Sequence, residues 1–295
     1  AEALVLICSG RTFIAGADIT EFGRPLEDPD LNAVITALEN SPKPVIAAIH
    51  GTALGGGLET ALACHYRCAS PSAQVGFPEV KLGIVPGAGG TQRLPRIAGV
   101  AAALEMIPSG DPIPALRAME LGIVDEIIDE QLEGAAMFAE RVVVEQWPLR
   151  RIRDMKDKLK EAAANPGIFE EARKSLAKSK RGFEAPQRCV DCVEAAVRLP
   201  FDQGLERERE IFVECLLSVQ SSEQRHIFFA ERQVSKIPDV PKETPVKKIR
   251  KAAVIGAGTM GGGIAMNFAN AGIPVYLMDA TNDALDRGLG TIRKN

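Results

Sequence analysis

The chain has 295 residues, 46% of them hydrophobic and 25% charged, with a formal net charge of −4. That profile is ordinary for a globular protein of about two domains, and its slight acidity gives no electrostatic reason to expect nucleic acid or an anionic membrane as a partner. No apolar run approaches the roughly 20 residues of a membrane span, and no signal-peptide pattern opens the chain.

Strand-like residues begin almost at once, in Ala3-Leu-Val-Leu-Ile7, and lead to a glycine turn, Phe13-Ile-Ala-Gly-Ala-Asp-Ile19. Residues 28–40 are expected to be helical, with Leu31, Val34, Ile35 and Leu38 at helical spacing. Pro44-Val-Ile-Ala-Ala-Ile-His50 has the length and β-branching of a buried strand. After it comes Gly51-Thr-Ala-Leu-Gly-Gly-Gly-Leu-Glu-Thr-Ala-Leu-Ala-Cys-His65. Its glycines let the backbone turn tightly and leave N–H groups bare. The helix that starts there offers free N–H groups to negative charge, including charge developing on a reacting oxygen. Glu59 sits in its first turn.

Downstream, the extended run Gln74-Val-Gly-Phe-Pro-Glu-Val80 delivers Glu79 just after a proline, which disfavours continuing a helix. Two carboxylates near a glycine-rich helix start suit paired general acid/base chemistry. Extended pieces near 66–70 and 74–77 alternate with helices, which argues for a largely parallel sheet with covering helices. The loop 83–90 then enters a short helix over 91–97 with Thr91 near its cap. Residues 101–107, 114–121 and 132–145 read as helices, and 123–128 as a strand.

From 148 to 200 the sequence is charged and mostly helical, with breaks at Asn165-Pro-Gly167 and Ala185-Pro186. Its alternating charges read as a solvated helix face. One longer helix is expected over 201–235, packing or linking. Its apolar residues Leu205, Phe212, Leu216, Val219, Ile227 and Ala230 fall near a heptad spacing. The proline-bearing stretch 237–248 has the composition of a domain linker. Among six cysteines, Cys189 and Cys192 form a C-x-x-C inside a helix without a second pair at zinc spacing. Reduced thiols, no metal site and a reducing compartment are expected.

Beyond the linker, the strand Lys251-Ala-Ala-Val-Ile255 runs into Gly256-Ala-Gly-Thr-Met-Gly261 and a helix; the next strand, Pro274-Val-Tyr-Leu-Met278, ends in Asp279. This is the context that a dinucleotide fingerprint requires. Gly256, Gly258 and Gly261 would bring backbone N–H groups to a pyrophosphate, and Met260 would line the approach. Asp279 would take the ribose hydroxyls and repel a 2′-phosphate, favouring NAD over NADP.

The motifs Ala15-Gly-Ala-Asp18, Gly55-Gly-Gly-Leu-Glu59, Pro78-Glu79 and Gly83-Ile-Val-Pro-Gly-Ala-Gly-Gly-Thr-Gln-Arg93 resemble the crotonase (enoyl-CoA hydratase) superfamily. The resemblance implies an α/β fold with a crotonase-like ββα spiral core and a helical C-terminal region. It also implies an oxyanion hole made by the backbone N–H groups of Ala17 and Gly56, with Glu59 and Glu79 as the hydratase glutamates. Followed by the nucleotide fingerprint, these motifs resemble the bifunctional enoyl-CoA hydratase/3-hydroxyacyl-CoA dehydrogenase family of fatty-acid β-oxidation. Gln220-Ser-Ser-Glu-Gln-Arg-His-Ile-Phe-Phe-Ala-Glu-Arg232 is similar to that family's linker.

The division implied is a hydratase domain over 1–200 with an incomplete N-terminus, a helical linker over 201–246, and the first βαβ unit of a Rossmann fold over 247–295. The family's dehydrogenase needs a His and a Glu well beyond that unit. The three histidines here, His50, His65 and His226, all precede it. Hydration of trans-2-enoyl-CoA is therefore expected, without dehydrogenation by this chain, and with isomerisation open to the same enolate.

Two alternatives stand beside this reading: a crotonase-fold thioesterase or hydrolase, and a non-catalytic fragment that binds acyl-CoA or NAD. Asp18 and Glu21 read as capping or solvated groups. Lys81, Arg93 and Arg96 are candidates for CoA phosphates, with exposed solubility charges as the equal alternative. The resemblance further implies an acyl-CoA substrate, a thiolase partner in a β-oxidation complex, and a bacterial cytoplasmic or peroxisomal setting, cytoplasm being the default.

Overall fold

In a computed structural model of the chain, residues 1–22, 28–234, 236–241 and 243–294 are described. The first unit, Ala1–Val234, begins with β1 (Leu4–Ile7), α1 (Leu31–Glu39), β2 (Val45–Ile49), β3 (Thr52–Leu54) and α2 (Gly56–Ala63). It continues through β4 (Tyr66–Ala69), β5 (Gln74–Gly76), a 3₁₀ turn (Pro78–Leu82), α3 (Gly90–Ala98) and α4 (Val100–Ser109). Then come β6 (Ile113–Pro114), α5 (Ala115–Glu120), β7 (Glu126–Ile127) and α6 (Gln131–Val144). Residue Asp30, expected inside the first helix, instead caps α1, its carboxylate accepting from the Ala33 N–H.

One sheet has the order β1-β2-β4-β7, parallel throughout. The unbroken apolar run of β2 is explained by its neighbours. Val45, Ala47 and Ile49 face one core with Leu58 and Leu62, whereas Ile46 and Ala48 face another with Phe138 and Val142. A strand with both faces buried has no polar side to show. The second sheet, β3-β5-β6, departs from the parallel expectation, because β5 and β6 run antiparallel. Ile14 bridges to Ala53 of β3, which brings the first glycine turn beside the second.

The helical region comprises α7 (Lys160–Ala164), α8 (Gly167–Ser179), α9 (Ala185–Arg198), α10 (Phe201–Leu216) and α11 (Val219–Val234). The single helix expected over 201–235 is thus two, and Ser235 lies outside the described residues. The break falls at Ser218, whose hydroxyl accepts from the Ser221 N–H at 3.1 Å. Such a local side-chain acceptor starts a new helix more readily than it continues an old one. Helix α10 packs on α9 and α3, burying Gly204, Glu208, Ile211 and Cys215.

The second unit, Ser235–Asn295, holds β8 (Ala252–Ile255), α12 (Thr259–Asn270), β9 (Val275–Met278) and α13 (Asn282–Ile292). β8 and β9 are parallel neighbours, from Ala252↔Val275 to Ile255↔Met278, which is a βαβ unit. All six cysteines are free thiols. Among the described residues no helix is long and apolar enough to cross a membrane, and no cluster of His, Cys, Asp and Glu could hold a metal ion.

Candidate active site

A cleft of about 2060 Å³ in the first unit is lined by Ala17, Gly56, Glu59 and Glu79 together, with Phe212 and Ile227 among its apolar walls. The glycine run explains how the three segments that carry Ala17, Gly56 with Glu59, and Glu79 meet there. Gly55 caps α2 with φ 54 and ψ −126, a backbone that side-chain-bearing residues scarcely adopt. A methyl group on it would also lie 2.6 Å from the Glu79 Oε1. Gly55 therefore serves twice, turning the chain into the helix and leaving room for the second glutamate.

Glu59 lies in the first turn of α2 and is 2% exposed. Its Oε1 accepts from the Ala88 N–H at 2.7 Å and the Gly90 N–H at 2.8 Å. Burial raises its proton affinity, while these two amides and the positive charge of Arg93 lower it. Burial outweighs them and the pKa of Glu59 is raised, while the two amides fix the orientation of its carboxyl group.

Glu79 is in the first turn of the 3₁₀ segment, not on the extended run expected. Pro78 still starts that turn, since a missing N–H is harmless at a helix start. Its Oε2 is buried without a hydrogen-bond partner. Burial first, then the charge of Glu59, pushes its carboxyl well above the usual carboxylate range. The two glutamates thus sit in one cleft with different surroundings, Glu59 supplied with amide donors and Glu79 with its pKa raised by burial and by the charge of Glu59.

The amide nitrogen of Ala17 is 3.9 Å from where a Gly56 side chain would begin. Among the described residues neither the Ala17 nor the Gly56 N–H donates to another protein group. Gly56 is the first residue of α2, where an N–H has no partner inside the helix. Asp18 behaves as expected, its carboxylate accepting from the N–H and hydroxyl of Thr20 and capping the turn 19–21.

One expectation needs correction. Arg93 and Arg96 are neither solubility charges nor available to an anion, being 2% and 3% exposed. Arg93 forms a two-pronged pair with Glu39, both contacts at 3.0 Å, and donates to the Ala88 carbonyl at 3.1 Å. Arg96 donates to the Gln92 carbonyl and rests against the Phe201 ring. Their helix, α3, lies among other helices, so its cations turn inward. Lys81 lines the cleft and pairs with Asp111 at 2.8 Å.

Thr91 lies near the start of its helix as expected, the second residue of α3, with Gly89 in the left-handed conformation at φ 95 as the cap. The Thr91 hydroxyl meets Glu208, a residue the sequence reading passed over. Burial and the charge of Glu59 push Glu208 up to about 8, against the donors from Thr91 and Gly89. Glu208 had a legible signal: with Gly204, Ile211 and Cys215 it recurs at the spacing of one helix face. Of the histidines, His65 is buried, its Nδ1 accepting from the Val45 N–H at 3.0 Å.

In the second unit the nucleotide-motif residues also come together. Gly256 has φ 97 and Gly258 caps α12. A side chain on Gly261 would strike the Gly256 carbonyl at 1.7 Å. Asp279, at the end of β9, accepts from the Ala257 N–H at 2.6 Å, which ties it to the glycine turn. Met260 is 78% exposed at the start of the helix. A bare helix N-terminus beside a carboxylate is a chemistry suited to a pyrophosphate and a ribose.

Comparison with known proteins gives an independent measure. Residues 1–187 match the family described as enoyl-CoA hydratase/isomerase. Residues 251–295 match the 3-hydroxyacyl-CoA dehydrogenase NAD-binding domain. The chain is 42% identical over 291 residues to the peroxisomal bifunctional enzyme of Danio rerio, covering 96% of this chain and 40% of that one. It is 36% identical to the fatty acid oxidation complex subunit alpha of Shewanella sp. (strain W3-18-1), covering 98% of this chain and 43% of that one. The chain thus spans about two-fifths of the length of these relatives. Among solved structures, carnitinyl-CoA hydratase from Mycobacterium avium is 28% identical with a TM-score of 0.54, covering 79% of each chain.

Proposed function

Because the chain belongs to the enoyl-CoA hydratase/isomerase family, we propose that its first unit hydrates trans-2-enoyl-CoA to 3-hydroxyacyl-CoA. The observation that carries the reading is that Glu59, Glu79 and two unpaired amides, of Ala17 and Gly56, line one cleft. The thioester oxygen accepts from those two N–H groups, which draws electrons from the C2=C3 bond. Glu59 takes a proton from water as the water oxygen bonds to C3. The electron pair of the double bond moves toward the thioester, and the oxygen becomes enolate-like. Glu79 then gives its proton to C2. Water has been added across the bond, and the proton gained by Glu59 balances the one lost by Glu79.

The amides bind more strongly as charge grows on the oxygen, so they stabilise the transition state more than the substrate. Assigning base to Glu59 and acid to Glu79 rests on their surroundings, donors around the first and an unpartnered, proton-retaining oxygen on the second. The same enolate, protonated elsewhere, would give isomerisation. Incubation with crotonyl-CoA separates hydratase from thioesterase. The proposal expects 3-hydroxybutyryl-CoA without free CoA, and free CoA as the main product would overturn it.

The second unit would hold the pyrophosphate of NAD at the turn bearing Gly256, Gly258 and Gly261, with Asp279 at the ribose and Met260 at the approach. Bound NAD supplies a hydride acceptor for a 3-hydroxyacyl-CoA. The peroxisomal name of the Danio rerio relative supports a peroxisomal setting beside the cytoplasmic one. The thiolase partner rests on family resemblance, and the Shewanella relative is by name a subunit of a complex.

A further inference from the structure

Carboxylates grip the turn from Ala88 to Thr91 on two sides, and its amides alternate between them. Ala88 and Gly90 donate to Glu59 at 2.7 and 2.8 Å, while Gly89 and Thr91 donate to Glu208 at 2.6 and 3.0 Å. The Thr91 hydroxyl also donates to Glu208, and it is held in that sense by Gln92, whose Nε2 donates to it at 2.9 Å. Glu208 is 1% exposed and stands on α10, outside the 1–187 stretch that matches the family. It is not among the residues lining the cleft.

We propose that Glu208 is a positioning residue for the hydration: by anchoring Gly89 and Thr91 it fixes the Ala88 and Gly90 amides that orient the Glu59 carboxylate. The inference rests on the hydratase reading given above. The four N–H groups belong to one short turn, in which only the two dihedrals of each Cα separate one planar peptide from the next. A shift of the Gly89 and Thr91 amides is therefore passed to the neighbouring amides of Ala88 and Gly90. Loss of the acceptors on Glu208 leaves three buried donors unsatisfied, the Gly89 and Thr91 amides and the Thr91 hydroxyl. The turn then shifts to recover partners, and Glu59 moves with it. Displacements of about 1 Å at a reacting group are felt as roughly 100-fold in rate, whereas substrate affinity, set by the cleft walls, is little altered.

The test is a double-mutant cycle on crotonyl-CoA hydration, with kcat and KM measured separately. E208A is expected to lower kcat at least tenfold with KM within about threefold. E208Q, which keeps one acceptor oxygen, should recover part of that loss. Combined with E59Q, E208A should add less than threefold, because its effect passes through Glu59. An E208A kcat within twofold of wild type would overturn the proposal, and so would a full tenfold loss on top of E59Q. Should E208A fail to fold, T91V removes the hydroxyl donor at nearly constant volume, and the same non-additivity with E59Q decides. Absence of turnover in the wild type would instead strike the hydratase reading itself.

Discussion

Replacing Gly55 by alanine is the most informative single change. The new methyl group would stand 2.6 Å from Glu79 Oε1 and 3.3 Å from its carboxyl carbon. Ordinary contact needs several tenths of an ångström more, so the carboxyl group must swing away from its place. Gly55 also has φ 54, and forcing an L-residue into such backbone costs about 1–3 kcal/mol. The two effects are separable with Gly99→Ala, because Gly99 has φ 96 but open space around its missing side chain. Both variants should lose stability of about 1–3 kcal/mol in denaturant unfolding. Only Gly55→Ala should also lose turnover, by about 100-fold, as expected for a misplacement near 1 Å. That corresponds to about 2.7 kcal/mol in the barrier. Steady-state hydration of crotonyl-CoA reads it directly. Equal turnover in the two variants would refute the claim that Gly55 exists to admit Glu79.

Other expectations follow from the same geometry. Glu79 holds its proton more tightly folded than unfolded, so its contribution to stability is full below the ordinary carboxylate pKa and is lost as pH rises through the raised value. Wild type should therefore lose melting temperature relative to Glu79→Gln as pH rises above the ordinary carboxylate range, and parallel curves would contradict the assignment. Arg93→Met leaves buried Glu39 with only the longer contact to Arg153 at 3.5 Å, which should cost up to about 3–5 kcal/mol in urea unfolding, with the double change Arg93→Met/Glu39→Leu less harmful. In the second unit Gly261→Ala should abolish NAD binding measured by calorimetric titration, since its methyl group would strike the Gly256 carbonyl at 1.7 Å; retained binding would show that the turn tolerates it.

Much of this arrangement was legible before any coordinates. β2 announced itself as a buried strand because both its faces meet apolar cores. Glu59, Glu79, Ala17 and Gly56 were marked by glycine turns and a proline, whose backbone demands are local and therefore visible in sequence. What escaped depended on distant partners. The inward cations of α3 look like any basic helix until Glu39 and Phe201 are brought against them from elsewhere in the chain. Glu208 is separated from Thr91 by 117 residues, and its neighbours Arg207 and Arg209 make the segment read as solvated. The break between α10 and α11 turns on a single serine hydroxyl. No periodicity in the apolar residues reveals it.

The central claim is that two carboxyl groups act as one unit, Glu59 on the water and Glu79 on C2. Crotonyl-CoA absorbance loss under wild type, Glu59→Gln, Glu79→Gln and the double variant measures it most directly. Each single change should cost about 10²–10⁴-fold in kcat, and the double variant should be little worse than either. Wild-type turnover no faster than that of the double variant would contradict the account.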